Sequence, residues 1–531
     1  MRGRAGAPFG MRAPSKREIW IVSTLLAAIL VWSGRFVVNP DGISYLDLSD
    51  DVRTGRFMDA VNPHWSPGYP YLLALWLSPL SPGSVWESTA VHILNGILFL
   101  GALAAFGFFL RELEKSQRNN ERVALPLNTG WGRFAAYSIF LWCALVLITI
   151  RAITPDMLVT LLGFVAAALF VRIRSGRAGT ASYVTFGLIL GLAALSKSFM
   201  FPVAILMIAL SAIQQPKFTR HLLAFAVFMV VTAPHVAALS HKSGRLTIGE
   251  SARIVYLLKV NQIPKLREGI AYFPTDKANR TYPAWDDPTI LYKGMSPDIN
   301  AADQATALKR NLVTLAGFAL KVLGPLLIVV AFKDRKVAMQ NRALSAAAAA
   351  VIAGYLFLHT ETRLDGFWVA LMIVSVLAGV TLDPREKNFT IGRGFVHLIT
   401  IVSVVSFVTF VFDQAGSSRP DRGLAGRNRN ATVAREIERM GIQRGSRIAL
   451  VGDESDIYWA RLAGVQIAAQ IPLRAAESYA ALPETARNQI HDQFRAIGAR
   501  AMVASWTPPP VTSSGWRQVY NFAILDLTKS P

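Results

Sequence analysis

Apolar runs of roughly 20 residues recur along this chain, separated by short loops that are alternately rich and poor in Lys and Arg. A helix needs about that length to cross a bilayer. The runs fall near 19–38, 86–110, 134–150, 157–171, 181–195, 199–214, 221–240, 311–331, 343–358, 366–381 and 395–412. They predict a polytopic α-helical membrane protein with about 11 spans, several of them short. Only 17% of the residues are charged, against about 25% in soluble domains.

The charge that remains is unevenly placed. Lys plus Arg number 55 against 34 acids, a net charge of +21. A nucleic-acid binder would gather that charge on one face. Here it recurs in alternate loops: Arg111 to Arg133, Arg172 to Arg177, Lys217 and Arg220, Lys333 to Arg342, and Arg385 to Arg393. These loops share a side with the basic N-terminus (1–18), and the positive-inside tendency makes that side cytoplasmic. No nucleic-acid partner is implied. The first run, which ends at Asn39-Pro40-Asp41, offers no small-residue cleavage site and reads as an uncleaved span. The single cysteine, Cys143, lies within a span, so no disulfide framework exists.

The opposite, outer side carries the longer connections. Residues 39–85 read as interfacial helices. In Ile43–Val52, Tyr45, Leu48 and Val52 recur at helical spacing opposite Asp47, Asp50 and Asp51, a pattern that predicts an amphipathic helix with a solvated acidic face. Tyr69 to Leu80 is apolar but too short to span. A long external loop covers 241–310. Beyond a Gly416–Pro420 linker, 414–531 reads as a small extracytoplasmic α/β domain, with a helix at Thr432–Met440 and strands at 447–451, 465–471, 501–504 and 519–527. Residues 19–413 form the membrane domain between it and the N-terminus.

Charged groups gather at the outer ends of the spans. Asp41 follows the first, Arg151 and Asp156 sit in one tight turn and Lys197 in another, and Glu361, Arg363 and Asp365 sit in a third. Carboxylates at a membrane boundary are costly to desolvate and are functional candidates. Cations there suit a phosphate, and a carboxylate beside them suits proton abstraction from a hydroxyl. Together they describe group transfer from a membrane-bound phosphate ester. Simpler roles stand beside these. Arg151 and Lys197 can snorkel to headgroups, Asp156 can serve a helix N-terminus, Glu361 and Arg363 can pair structurally, and Asp41 can be a turn residue. No His-Glu-x-x-His occurs. His64 and His359 face outward as weak metal candidates, so the sequence assigns no metal site, while a divalent cation stays compatible with it.

Order and spacing resemble the GT-C superfamily of membrane glycosyltransferases, in the branch of bacterial protein O-mannosyltransferases and lipid A aminoarabinose transferases. The resemblance rests on Pro40-Asp41-Gly42-Ile43-Ser44-Tyr45-Leu46, Trp65-Ser66-Pro67-Gly68-Tyr69-Pro70, Arg151-x-x-Thr154-Pro155-Asp156, Gly187-x-x-x-Gly191 running to Lys197, and Glu361-Thr362-Arg363. It covers the chain to about residue 415. It implies interfacial helices over an external active site, and transfer of a sugar from a polyprenyl-phosphate donor to a glycan, lipid or protein acceptor. The family often carries two adjacent acids after the first span, whereas Gly42 follows Asp41 here; the second acid must come from Asp47, Asp156 or Glu361. On this reading Asp41 is the catalytic base, and Lys197, Arg151 and Arg363 bind the donor phosphate. Asp156, Glu361 and Asp47 are supporting acids, and the protein sits in a bacterial inner membrane with its tail domain periplasmic. A transporter or flippase for a lipid-linked anion is the alternative, and a non-catalytic membrane subunit a third possibility.

Overall fold

The structure is a computed structural model, and it describes residues 12–117, 130–266, 269–275, 277, 280–331, 342–379, 387–417, 421–505 and 515–529. Each apolar run forms a helix. In chain order, α1 (Lys16–Gly34) leads into α2 (Pro40–Arg53), α3 (Phe57–Ala60) and α4 (Gly68–Leu80), which lie before α5 (Glu87–Gln117). Then come α6 (Gly130–Trp142), α7 (Asp156–Arg174), α8 (Thr180–Ser196), α9 (Met200–Gln214) and α10 (Phe218–Ser243). The long loop holds two short helices, α11 (Ser251–Val255) and α12 (Pro283–Asp286), and is followed by α13 (Ala301–Ala331), α14 (Arg342–Leu358), α15 (Thr362–Gly379) and α16 (Lys387–Ala415).

Five described helices are long and apolar enough to cross a membrane unaided: α1, α5, α6 with its continuation to Ile148, α7 and α10. Four more apolar stretches, α8, α9, α14 and the end of α16, have 10–17 residues. The count of about 11 crossings is therefore not established, although every stretch behind it is helical.

Side-chain size sets how closely these helices approach. At Gly187 an added Cβ would lie 2.1 Å from the Ala224 carbonyl oxygen, and at Gly191 2.7 Å from Val231. The Gly-x-x-x-Gly face of α8 thus lets the α10 backbone come close. Gly163 of α7 similarly leaves room for the ring of Phe367, which continues an aromatic cluster through Phe164, Phe106 and Phe140.

One end of the bundle carries the tail domain. Its sheet runs β1 (Ala271–Tyr272), β3 (Gln466–Pro472), β2 (Arg447–Gly452), β4 (Ala499–Ala504), β6 (Phe522–Asp526), β5 (Trp516–Val519), with β2 parallel to both β3 and β4. The predicted 519–527 strand is instead an antiparallel hairpin of β5 (Trp516–Val519) and β6 (Phe522–Asp526), broken where Tyr520 turns at φ 55°. The outer strand β1 (Ala271–Tyr272) comes from the long loop and pairs antiparallel with β3. That loop is stitched into the tail domain's sheet.

The α2 helix departs from the expected solvated face. Asp47 and Asp51 are 1% and 2% exposed. Arg461, from α17 (Tyr458–Ala463) of the tail domain, reaches Asp47 at 2.6 Å, Asp50 at 2.8 Å and Glu87 at 2.7 Å. Arg280 of the long loop pairs with Asp51, and Thr281 donates to Asp47 through its backbone N–H at 2.8 Å and its hydroxyl at 3.0 Å. Helical periodicity correctly separated the two faces of α2, but the acidic one meets protein rather than water.

Candidate active site

Two carboxylates begin the site, each in the first turn of a helix. Pro40 occupies the first position of α2 and Asp41 the next; Asp156 opens α7 after Pro155. Proline there fixes φ without sacrificing a hydrogen bond, and the exposed N–H groups favour a negative charge. The two helix starts are tied together, since the side-chain oxygen of Asn39 accepts from the Ile153 N–H at 2.8 Å. Gly42 makes this fit possible: a Cβ there would lie 2.7 Å from Ile153.

Cations from two other spans join them. The backbone leaves α8 at Lys197, whose ammonium pairs with Asp156. Gly68 packs against the backbone nitrogen of Ser196, so the start of α4 buttresses the turn that delivers Lys197. Arg363, in the first turn of α15, reaches Asp41 at 2.9 Å, Asp156 at 3.5 Å and Glu361 at 2.7 Å. His359 adds a 2.8 Å contact to Glu361. The carboxyl of Glu361 is held well below the usual range, chiefly by the His359 hydrogen bond and with help from Arg363. The result is an alternating chain of charge, Asp41–Arg363–Asp156–Lys197, in which every acid has a basic neighbour.

Asp41, Asp156, Lys197, His359, Glu361 and Arg363 all line a cavity of about 500 Å³. Its roof is the long loop, through Ile248, Ser251, Val255, Leu258, Trp285 and Tyr292. Trp65 and Tyr45 form part of the wall, packed edge to face at 5.1 Å. His64 also lines it, and burial lowers its pKa to about 4, which leaves it neutral at pH 7.

Lys259 and Lys265 are lining cations that the sequence did not single out, and Lys265 is the more deeply buried. Its ammonium lies 3.0 Å from the Trp285 ring centroid, and burial brings its pKa down to about 8. Nothing in spacing separates Lys259 and Lys265 from Lys293 in the same loop; only the fold turns the first two toward the cavity.

Two expected members lie elsewhere. Asp47 faces the tail domain, bound by Arg461 and Thr281 as described above. Arg151 lines a separate, adjoining cavity, so it does not stand with Lys197 over one phosphate; Glu361 and Arg363 line both spaces. Asp41, Asp156 and Glu361 are each paired with basic side chains. Among the described residues, no group of three or more His, Cys, Asp or Glu side chains is placed to hold a metal ion.

No family model and no curated protein matches this sequence. Its fold, however, is that of solved membrane enzymes. ArnT from Cupriavidus metallidurans in the apo state superposes with a TM-score of 0.53 at 13% identity, over 97% of this chain and 98% of the other. The same enzyme bound to undecaprenyl phosphate gives 0.51 at 12% identity, over 96% and 98%. The likeness spans the bundle and the tail domain together, and it is a likeness of fold.

Proposed function

We propose that this chain is an integral-membrane glycosyltransferase, taking a sugar from a polyprenyl-phosphate-linked donor at the extracytoplasmic face of a bacterial inner membrane and passing it to an acceptor hydroxyl. The observation that carries the reading is the convergence of Asp41, Asp156, Lys197 and Arg363, from the starts or ends of four different helices, in one cavity. The fold likeness to an enzyme solved with undecaprenyl phosphate supports a lipid-phosphate donor.

The charge chain suggests how the site is loaded. In the free protein, carboxylates are the anions that Lys197 and Arg363 hold. A donor phosphate entering between these cations takes over their hydrogen bonds, and Lys265 approaches it from the roof. Asp41 is then released to accept the proton of the acceptor hydroxyl. The acceptor oxygen forms a bond to the anomeric carbon as the bond from that carbon to the phosphate oxygen breaks. The lipid phosphate departs with the electron pair, stabilised by Lys197 and Arg363, and Asp41 keeps the proton. Asp156 stays between the two cations and fixes their spacing.

A transporter or flippase would carry its charged groups toward the middle of the membrane, along interrupted helices. The charges here sit at one end of the bundle, which favours transfer.

The test is Asp41→Asn in purified protein, assayed for transfer of labelled sugar from a polyprenyl-phosphate sugar. Loss of a positioned general base is expected to cost about 10²–10⁴-fold in rate, with donor binding retained. Undiminished transfer would remove Asp41 from the chemistry.

A further inference from the structure

The adjoining cavity encloses about 640 Å³ and has a chemistry of its own. Arg151 projects into it from the turn before α7 and is 8% exposed, yet its Nε and Nη2 have no hydrogen-bond partner among the described residues. Arg422 lines the same space with its Nε also buried and unpartnered, as is the hydroxyl of Thr360. A buried, unmatched guanidinium is costly, because water is removed and nothing replaces it.

The surroundings hold Arg151 in that state. Thr149 adopts φ 61°, a left-handed conformation unfavourable for a β-branched residue. The backbone is fixed around it by Asn95, which donates to Ala152 at 3.0 Å and Ile150 at 3.4 Å, and by His92. Gly34 of α1 leaves the room the side chain needs, since a Cβ there would lie 2.7 Å from the Arg151 Nε. The 421–426 segment that carries Arg422 is anchored in turn by Arg35, which donates to the Gly426 carbonyl at 2.7 Å.

Among the lining groups, Arg151, Arg363 and Arg422 face the single carboxylate of Glu361. Asp413 and Asp421 act on Arg151 electrostatically from nearby and temper the excess without lining the space. Burial lowers the Arg151 pKa to about 10, so it remains charged at neutral pH. Thr149, Thr360 and Thr362 add hydroxyls. Arginine forks and hydroxyls without a matching acid are a phosphate-binding set.

We infer that this second cavity is an anion site that holds the phosphate of a membrane lipid headgroup between Arg151 and Arg422, and it shares Glu361 and Arg363 with the lining of the Asp41 cavity. The α1–α2 connection (Val37 and Asn39), Thr314 of α13, and Phe410 and Gln414 of α16 complete its lining, so it lies against helices of the membrane bundle. The inference does not require the Asp41 cavity to be catalytic. Because Arg363 borders both spaces, an anion in the second draws it away from Asp41 and Asp156, which couples the two.

The full-length protein in phosphatidylcholine nanodiscs, with and without added phosphatidic acid, tests this. Thermal unfolding and native mass spectrometry are the readouts, with inorganic phosphate as a parallel arm. Phosphatidic acid is expected to raise Tm saturably and to remain bound. Arg422→Gln and Arg151→Met are each expected to weaken that apparent affinity by about tenfold or more, while Gly179→Ala, outside both cavities, leaves it unchanged. Should Arg151→Met not fold, Arg422→Gln and Thr360→Val decide. Equal protection by inorganic phosphate at matched concentration would overturn the lipid source. An identical response in wild type and the Arg422 variant would overturn the site itself.

Discussion

Arg363 holds the centre of the site because three carboxylates reach it from three segments, and none of those acids is left without a cation. Lys197 does the same for Asp156 alone. Asp156 is only 4% exposed, so removing its main partner leaves a charge that water cannot reach. Lys197→Met is therefore expected to destabilise the protein by about 3 kcal/mol, read as a lower Tm in detergent. Pairing it with Asp156→Asn should restore most of that Tm but not sugar transfer. If the double variant recovered both, the two residues would be structural. Lys265 gives a pH test. Its pKa of about 8 lies below the usual 10.5, so between those values the unfolded chain binds a proton that the folded one lacks. Stability contributed through Lys265 thus rises with pH across that window. Donor affinity moves the other way, falling as pH passes about 8 and the cation is lost. Lys265→Met should flatten the affinity profile; an unchanged profile would take Lys265 out of phosphate binding. Asp156, Lys197, Glu361 and Arg363 were readable from sequence because each sits in a turn too short to leave the bilayer boundary, and Asp41 because it directly follows the first span. Lys265 was not, since a long loop can aim a side chain anywhere.

At the scale of elements, α2 is the piece on which the site's geometry depends. Its first turn carries Asp41, and its far face is gripped by Arg461 and Arg280. Arg461→Met would leave Asp47, Asp50 and Glu87 without their shared cation. A loss of about 3–5 kcal/mol is expected, together with faster amide hydrogen exchange along Pro40–Arg53. Full protection of that helix in the variant would show that the tail domain does not hold it. Arg461→Lys keeps the charge but not the forked geometry, and its effect should be intermediate. The closeness of α8 and α10 makes a second prediction. Gly187→Val must displace the Ala224 carbonyl and should lower Tm sharply, whereas Gly179→Ala, with nothing within 4 Å of its added Cβ, should be tolerated. The acidic face of α2 was legible as a face. Its burial was not, because the residues that cover it come from 234 and 414 positions away along the chain.

For the whole molecule, the tail domain and the long loop act as one lid. Strand β1 ties the loop to β3, Tyr282 donates to Gln470 at 2.5 Å, and loop residues roof the Asp41 cavity. Truncation after residue 415 would remove the sheet that β1 completes. Limited proteolysis should then cut within 241–310, at sites protected in the intact protein; an equally resistant loop would show that it is held by the bundle alone.

The sequence by itself determined the helices and the end of the bundle where the charges collect. Both are local consequences of the bilayer: apolar length decides what can cross it, and short turns pin charged groups to its edge. Tertiary structure alone decided which of those charges meet. It separated Arg151 from Lys197, turned Lys265 inward and set Asp47 against Arg461, because ion pairs follow distance in space and periodicity records only position along the chain.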